Sequence, residues 1–271
     1  LTVKGVALSQ SRQAAFVLVA TDHGSMIINK NDYCTGERGT FGVGYEILRN
    51  SNFSLNECLL IIQLLTKRQS NFPGEMIAID VGANYGTHTL AMARTLTGCG
   101  KVIAIEPQER IYYALCGNVA LNNLMNVTAI RSAVGSHNGI IKIPVPDYLA
   151  PASYGSLELI KSDENEIVGQ VIDYSDSATV PVTLMTIDSL LLDRCDLLKI
   201  DAEGMEMFVM EGAAKTVTNH KPILFIEAFK IPYELFMDTL KRFGYTAFYT
   251  IGLNVVAFHA DDPTKECMVH E

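Results

Sequence analysis

Five carboxylates in this chain of 271 residues stand where an apolar run stops. Ile77-Ala78-Ile79 ends in Asp80 and continues as Val81-Gly82-Ala83-Asn84-Tyr85-Gly86-Thr87. Lys101 to Ile105 ends in Glu106-Pro107. Leu197-Leu198-Lys199-Ile200 delivers Asp201 and, two residues on, Glu203 before Gly204. Ile223-Leu224-Phe225-Ile226 ends in Glu227. An acid at the carboxyl end of a buried strand sits where open α/β sheets bind their ligands. So many strand-end acids exceed what stability requires, because like charges held together disfavour one another.

Each group suggests its own chemistry. Gly82 and Gly86 are spaced G-x-x-x-G, not the G-x-G-x-x-G that brings a helix N-terminus against a pyrophosphate. Asp80 at the start of that turn suits a cationic or hydrogen-bond-donating ligand and repels a phosphate. Glu106 lies about twenty residues past the glycine turn, where a ribose diol is gripped by short hydrogen bonds. Asp201, Glu203 and Glu227 can raise one another's pKa, which would turn one of them, Asp201 or Glu203 by preference, into a usable general base. His88, just past Gly86, is a further candidate. Asp201, Glu203 and Glu227 could instead take a Mg²⁺-type cation. The residues after Glu227, Ala228-Phe229-Lys230, add no strong ligand, so no metal is expected. Against these readings stand plainer ones: a turn after a strand, helix-capping acids, and a packing or solvent-facing histidine.

The elements that would hold these residues follow from periodicity. Apolar runs at 76–81, 101–105, 127–131, 197–200 and 222–227 read as buried strands. Helical segments at 87–96, 109–123, 206–217 and 233–243 fall between or after them. A hairpin is expected from 245–250 and 254–258 around Ile251-Gly252. Continuous apolar strands separated by helices imply a parallel sheet covered on both faces. Upstream, strand-like pieces at 15–19 and 25–28 precede a glycine-rich turn at 35–39. A helix then carries Leu55, Leu59, Ile62 and Leu65, with Ser54 and Glu57 at capping-box spacing. A strand is expected at 139–145. The rhythm breaks at Pro146–Ala178, rich in Pro, Ser and Asp, which reads as a lid-like insertion. Within it Tyr148, Tyr154 and Ser156 are acceptor contacts or lid packing.

Composition narrows the classes further. Lys and Arg number 21 against 30 Asp and Glu, for a formal net charge of −9. That balance disfavours nucleic acid and anionic membrane as partners. The apolar run at 14–20 is far shorter than the ~20 residues of a membrane helix. It also lacks the flank and cleavage site of a signal peptide. Six scattered cysteines form no zinc spacing and suggest reduced thiols in a cytoplasmic protein.

The segments IDVGANYGTHTL, VIAIEP, AVGS, SYGSLEL, TIDSLL and LLKIDAEGMEMFVMEGA, in that order, resemble the FkbM family of S-adenosylmethionine-dependent methyltransferases. The resemblance covers roughly 80–227, and KIDAEG is its most specific block. It implies an α/β class I methyltransferase Rossmann-like fold. That fold has a seven-stranded mostly parallel sheet, order 3-2-1-4-5-7-6, with helices on both faces. The domains expected are an N-terminal extension, 1–73, packed on the core, and a methyltransferase domain, 74–271. By position, Asp80, Gly82, Asn84 and Gly86 would line the methionine end of S-adenosyl-L-methionine, with Ala83, Tyr85 and Thr87 in the same turn. Glu106, next to Pro107, would bind the ribose, and Ser132 and Ala133 would flank the adenine. Asp201 and Glu203 would sit at the methyl-transfer end, Asp201 also touching the cofactor.

The expected function is O-methylation of a hydroxyl on a small molecule or glycan. A nicotinamide-dependent oxidoreductase and an inactive cofactor-binding protein are the alternatives. Neither the acceptor nor the choice between monomer and homo-oligomer is legible in the chain.

Overall fold

The computed structural model describes residues 13–36, 39–162 and 165–268. The chain begins with an antiparallel hairpin, β1 (Phe16–Thr21) and β2 (Gly24–Asn29), followed by a small pair, β3 (Cys34–Gly36) and β4 (Gly39–Phe41). Glu37 and Arg38 of the glycine-rich turn lie outside the described residues. Helices α1 (Val43–Asn50) and α2 (Leu55–Asn71) complete this first part.

The alternating region supplies β5 (Met76–Val81), α3 (Thr87–Thr95), β6 (Gly100–Ile105), α4 (Glu109–Leu121) and β7 (Val127–Ile130). Then come β8 (Ala133–Val134), β9 (Gly139–Pro144) and β10 (Thr179–Met185). The last stretch carries β11 (Leu197–Ile200), α5 (Glu206–Gly212), α6 (Ala214–His220), β12 (Ile223–Glu227), α7 (Tyr233–Arg242), β13 (Tyr245–Ile251) and β14 (Asn254–His259).

Seven strands form the main sheet in the order β7-β6-β5-β11-β12-β14-β13. Numbered within the sheet, that is 3-2-1-4-5-7-6. β5, β6, β7, β11 and β12 pair in parallel, and β14 runs antiparallel to both β12 and β13. Side chains alternate between two cores, as the strand period requires. Ala78, Val102, Leu197 and Phe225 pack with Ile61, Leu64 and Leu90 from α2 and α3 on one face. Ile77, Ile79, Leu198 and Leu224 pack with Val209, Val217 and Leu240 from α5, α6 and α7 on the other. The winding reverses between β5 and β11, and a crevice opens at their carboxyl ends.

The first part of the chain is fastened to this sheet. Met26 and Ile28 of β2 share the core of the α2 face. Arg68 of α2 reaches Asp196 at 3.4 Å, with Asp262 as a second buried carboxylate partner. Two sequence expectations give way here. Ser54 adopts a left-handed backbone (φ 49) and its side chain makes no cap bond, so the capping box does not form. Its partner, Glu57, is drawn instead to His88 and Asn254. The single helix expected at 206–217 is two helices that break at Ala213. Gly212 there packs so closely on the Gly135 carbonyl that a side chain would not fit.

The long insertion is not free-standing. β9 and β10 pair antiparallel from Gly139↔Leu184 to Thr179↔Pro144 and make its stem. Beyond the stem, the Tyr154 N–H donates to the buried Asp32 Oδ1 at 2.9 Å, and Asp32 Oδ2 accepts the Gly44 N–H at 2.9 Å. Burial pushes the Asp32 carboxyl up to about 6, against the pull of those two N–H groups. Among the described residues no helix is long and apolar enough to cross a membrane.

Candidate active site

One cavity opens over the crevice. Its floor is made by Gly82, Ala83 and Asn84 after β5, and by Glu106, Pro107 and Gln108 after β6. Ser132 and Ala133 follow β7 on the same wall. Lys199, Asp201 and Glu203 come from β11 and its turn, and Glu227 from the end of β12. The cover is supplied by Phe41, Val43 and Phe53 from the first part of the chain, and by Ser153, Ser156 and Leu157 from the insertion.

The glycine turn is wound through left-handed backbone at Gly82 (φ 74), Asn84 (φ 50) and Gly86 (φ 93). Glycine adopts that region freely and asparagine tolerates it. The Gly82 and Ala83 N–H groups both donate to the Ile105 carbonyl at 3.0 Å, which clamps the turn to β6. The next N–H, of Asn84, donates to Glu106 Oε2 at 2.9 Å, and the Gln108 N–H donates to Glu106 Oε1 at 2.8 Å. Glu106 is thus held by backbone on both oxygens while it faces the cavity. Burial pushes its carboxyl up to about 7, the two N–H bonds oppose that, and the charges of Asp201 and Asp80 add to it.

Not every residue of the turn reaches the wall. Gly82, Ala83, Asn84 and Thr87 line the cavity, whereas Asp80, Tyr85 and Gly86 stand behind it. Asp80 is fully buried, accepts the Thr89 hydroxyl at 2.6 Å and faces Lys199 Nζ at 3.4 Å. Tyr85 is part of the apolar core, and Gly86 packs on Leu115 and Leu90. These three support the turn from below, because strand alternation and the left-handed turn direct them into the protein.

Asp201, Glu203 and Glu227 converge: one carboxylate oxygen of each lies within 4.8 Å of the others. A divalent cation could be held there, but two lysines already engage the group. Lys199 Nζ stands 3.3 Å from Asp201 Oδ2. Lys230 Nζ stands 2.6 Å from Glu203 Oε2 and 3.3 Å from both Glu158 and Glu166 of the insertion. Burial raises the Glu203 carboxyl well above its usual range, and the Asp201 charge adds to this. Glu227 is pushed up to about 8 by burial, then by the charges of Asp201 and Glu206. For Lys199 burial works against the charged form, yet Asp201, Asp80 and Glu57 outweigh it and raise its pKa.

His88 lies on the wall in the first turn of α3, its Nε2 3.2 Å from Glu57 Oε2. Ser156 also reaches the wall, with its hydroxyl 2.9 Å from that of Ser153. Tyr148 and Tyr154 do not line the cavity. Their rings pack together at 4.9 Å, the Tyr154 hydroxyl donates to the Ala150 carbonyl at 2.7 Å, and the Tyr148 hydroxyl donates to Gln108 Oε1 at 3.1 Å. They hold the insertion onto the floor of the site. Sequence reasoning passed over Lys199, Lys230, Glu57 and Gln108. A lysine inside the apolar run of β11 is the one signal that marked any of them, since a buried cation needs anions around it.

A sheet in the order found here, with a glycine turn after its first strand and an acid closing its second, is the architecture of class I methyltransferases. The family model described as "Methyltransferase FkbM domain" matches residues 80–247, more than half of the chain, and the chain belongs to that family. Two curated relatives are similar. One is "Methyltransferase sdnD" from Sordaria araneosa, 28% identical over 53% of this chain and 62% of its own length. The other is "Methyltransferase 1" from Beauveria bassiana, 27% identical over 52% of this chain and 59% of its own. The chain therefore spans about 60% of the curated relatives it matches. Among solved structures, methyltransferase FkbM from Methylobacillus flagellatus KT is similar with a TM-score of 0.47 and 18% identity, over 69% of this chain and 44% of that one.

Proposed function

We propose that this chain is an S-adenosylmethionine-dependent O-methyltransferase that acts on a hydroxyl of a small molecule or glycan. The observation that carries the reading is Glu106. It is 3% exposed, and backbone N–H groups from the turns after β5 and β6 fix both its oxygens. Each of those oxygens keeps an accepting lone pair, which suits the two hydroxyls of a ribose. The glycine turn beside it brings bare backbone to the cavity, as the rest of a nucleoside thioether needs. Ser132 and Ala133 line the same cavity and would flank the base. Asp201, Glu203 and Glu227, with Lys199 and Lys230 set among them, stand at the other end, where the methyl group would lie. The residues fit the cofactor that the family implies.

When bound, S-adenosylmethionine supplies an electrophilic methyl group on a sulfonium. The chain's own task is then to align the acceptor and to take its proton. The cover from Phe41, Val43, Phe53 and the insertion restricts the approach of the acceptor and keeps water from competing. The groups on the wall that could take the proton are the Asp201–Glu203–Glu227 cluster and His88.

Calorimetry with S-adenosylhomocysteine tests the cofactor, with NADH as the control. Binding of the first and not the second is expected, and Glu106→Ala should weaken it about 10- to 100-fold. Binding of NADH alone would overturn the reading. A screen with methyl-labelled donor across sugars, polyketides and phenols then identifies the acceptor by alkali-stable label on oxygen.

A further inference from the structure

We infer that His88 takes the acceptor's proton and that Glu57, carried by α2, is its positioning residue. This rests on the methyltransferase reading above and deepens it.

The geometry is a three-residue chain. His88 is 6% exposed and lines the cavity. Its Nε2 faces Glu57 Oε2 at 3.2 Å. The other oxygen of Glu57 accepts the Asn254 Nδ2–H at 3.0 Å. Asn254 opens β14 and is the register partner of Glu227 on β12. The chain from His88 to Asn254 therefore ends at the same strand end as the carboxylate cluster, away from Glu106. The His88–Glu57 contact is close but outside hydrogen-bond geometry, and Nε2 has no hydrogen-bond partner among the described residues. A carboxylate beside one ring nitrogen favours a proton there, which leaves the other nitrogen to work as the base. A carboxylate at that distance also stabilises the imidazolium once formed.

The acids of the cluster are less suited to the task. Asp201 is engaged by Lys199, and Glu203 by Lys230. Glu227, raised to about 8, carries a proton near neutral pH. His88 has the Glu57 carboxylate beside it. Glu57 is kept below its usual range: burial opposes this, but the nearness and charge of His88 and the charge of Lys199 outweigh it.

Other charged or titratable groups around the pair are His23 in the β1–β2 turn, Lys199 on β11, Asp80 on β5 and Cys58 beside Glu57 on α2, whose thiol burial pushes up to about 12, so that it stays neutral. His23 accepts the Phe53 N–H on its Nε2 at 3.0 Å. Burial, then the proximity of His88, lowers its pKa, so it is neutral and does not compete for the proton. Glu57 and Asn254 both lie outside the matched segment 80–247. The flanking parts of the chain thus complete the reaction centre.

In the step inferred, the acceptor oxygen forms a bond to the methyl carbon as the carbon–sulfur bond breaks, and that electron pair stays on sulfur. The hydroxyl proton passes to the free ring nitrogen of His88. The imidazolium–Glu57 pair holds it until water carries it away.

The test uses the full chain and does not depend on knowing the acceptor. NMR of ring-labelled histidine should show neutral His88 with its proton on Nε2. In Glu57→Gln that preference for Nε2–H should be lost. Affinity for S-adenosylhomocysteine should not change. With an acceptor from the label screen, Glu57→Gln should lower kcat about 10- to 100-fold with KM nearly constant. Glu57→Asp should recover part of the rate, and His88→Ala should lower kcat about 10²- to 10⁴-fold. The inference is overturned by an Nδ1–H tautomer, by the same tautomer preference in Glu57→Gln and the natural chain, or by an undiminished kcat in His88→Ala. A screen that finds no acceptor would defeat the methyltransferase reading, while the NMR arm would still decide the pairing of His88 with Glu57.

Discussion

The bare α-carbon of Gly82 lies against the carbonyl oxygen of Asp201, so that a Cβ at Gly82 would fall well inside van der Waals contact. The glycine turn after β5 and the acidic turn after β11 are therefore packed backbone to backbone. Gly82 is also left-handed, at φ 74. Gly82→Ala should cost about 3 kcal/mol or more, from strain at positive φ and from the forced separation of the two turns. Urea denaturation reads that loss, and S-adenosylhomocysteine affinity should fall with it. A variant as stable as the natural chain would mean that the two turns do not pack this way.

Lys199 should be indispensable to the fold. It is 2% exposed and stands between Asp80 and Asp201, at 3.4 and 3.3 Å. Lys199→Met removes the cation and leaves Asp80 buried, with the Thr89 hydroxyl its remaining hydrogen-bond partner among the described residues. A cost of about 3–5 kcal/mol is expected, because an uncompensated buried charge remains. The double variant Lys199→Met with Asp80→Asn should recover part of it, which a thermodynamic cycle in urea would measure.

Cofactor affinity should depend on pH through Glu106. Its carboxyl titrates at about 7 in the folded chain against a usual 4.5. Between those values the folded chain holds a proton that the unfolded chain has lost. The Glu106 contribution to stability therefore falls as pH rises through that window and is level above it. A ribose diol donates to the ionised form, so S-adenosylhomocysteine should bind up to tenfold more weakly for each pH unit below about 7. Calorimetry in buffers of different ionisation enthalpy should detect proton release on binding at pH 6. Affinity that is flat from pH 5.5 to 8 would contradict this, and Glu106→Gln should remove the dependence.

The insertion should loosen without Lys230. That one ammonium is shared by Glu158 and Glu166 of the insertion and by Glu203 of the site. Lys230→Ala leaves three carboxylates facing one another. Amide exchange at 153–160 should quicken by about tenfold or more, read by hydrogen–deuterium exchange mass spectrometry. The core strands should keep their protection, and S-adenosylhomocysteine affinity should change little, since Glu106 lies at the other end of the cavity.

The sheet was legible because its strands are runs of apolar residues with helical segments between them, a pattern set by burial on both faces. Glu106 was legible for a related reason: a backbone-held acid at a strand end needs no distant partner to reach the cavity. The lone capping signal at Ser54 and Glu57 misled, because a capping box is worth about 1 kcal/mol. The Asn254 amide takes the same carboxylate, with the His88 imidazole 3.2 Å from its other oxygen. Tyr148 and Tyr154 were equally ambiguous, since an amphipathic ring can line a cavity or pack behind it. The contacts with Gln108 and Ala150 decided for packing.

What the sequence alone determined is the set of strand-end carboxylates and the crevice they share, because local periodicity fixes where a strand ends and which way the chain turns. What only tertiary structure decided is which of those acids is matched by a cation and which is left charged, raised or free. Lys199 is two residues from Asp201, but its second anion is Asp80 on a neighbouring strand. His88 meets Glu57 across two helices, and Lys230 meets Glu158 across the width of the insertion. Electrostatic partnership acts over a few ångströms of space, and distance along the chain does not measure that.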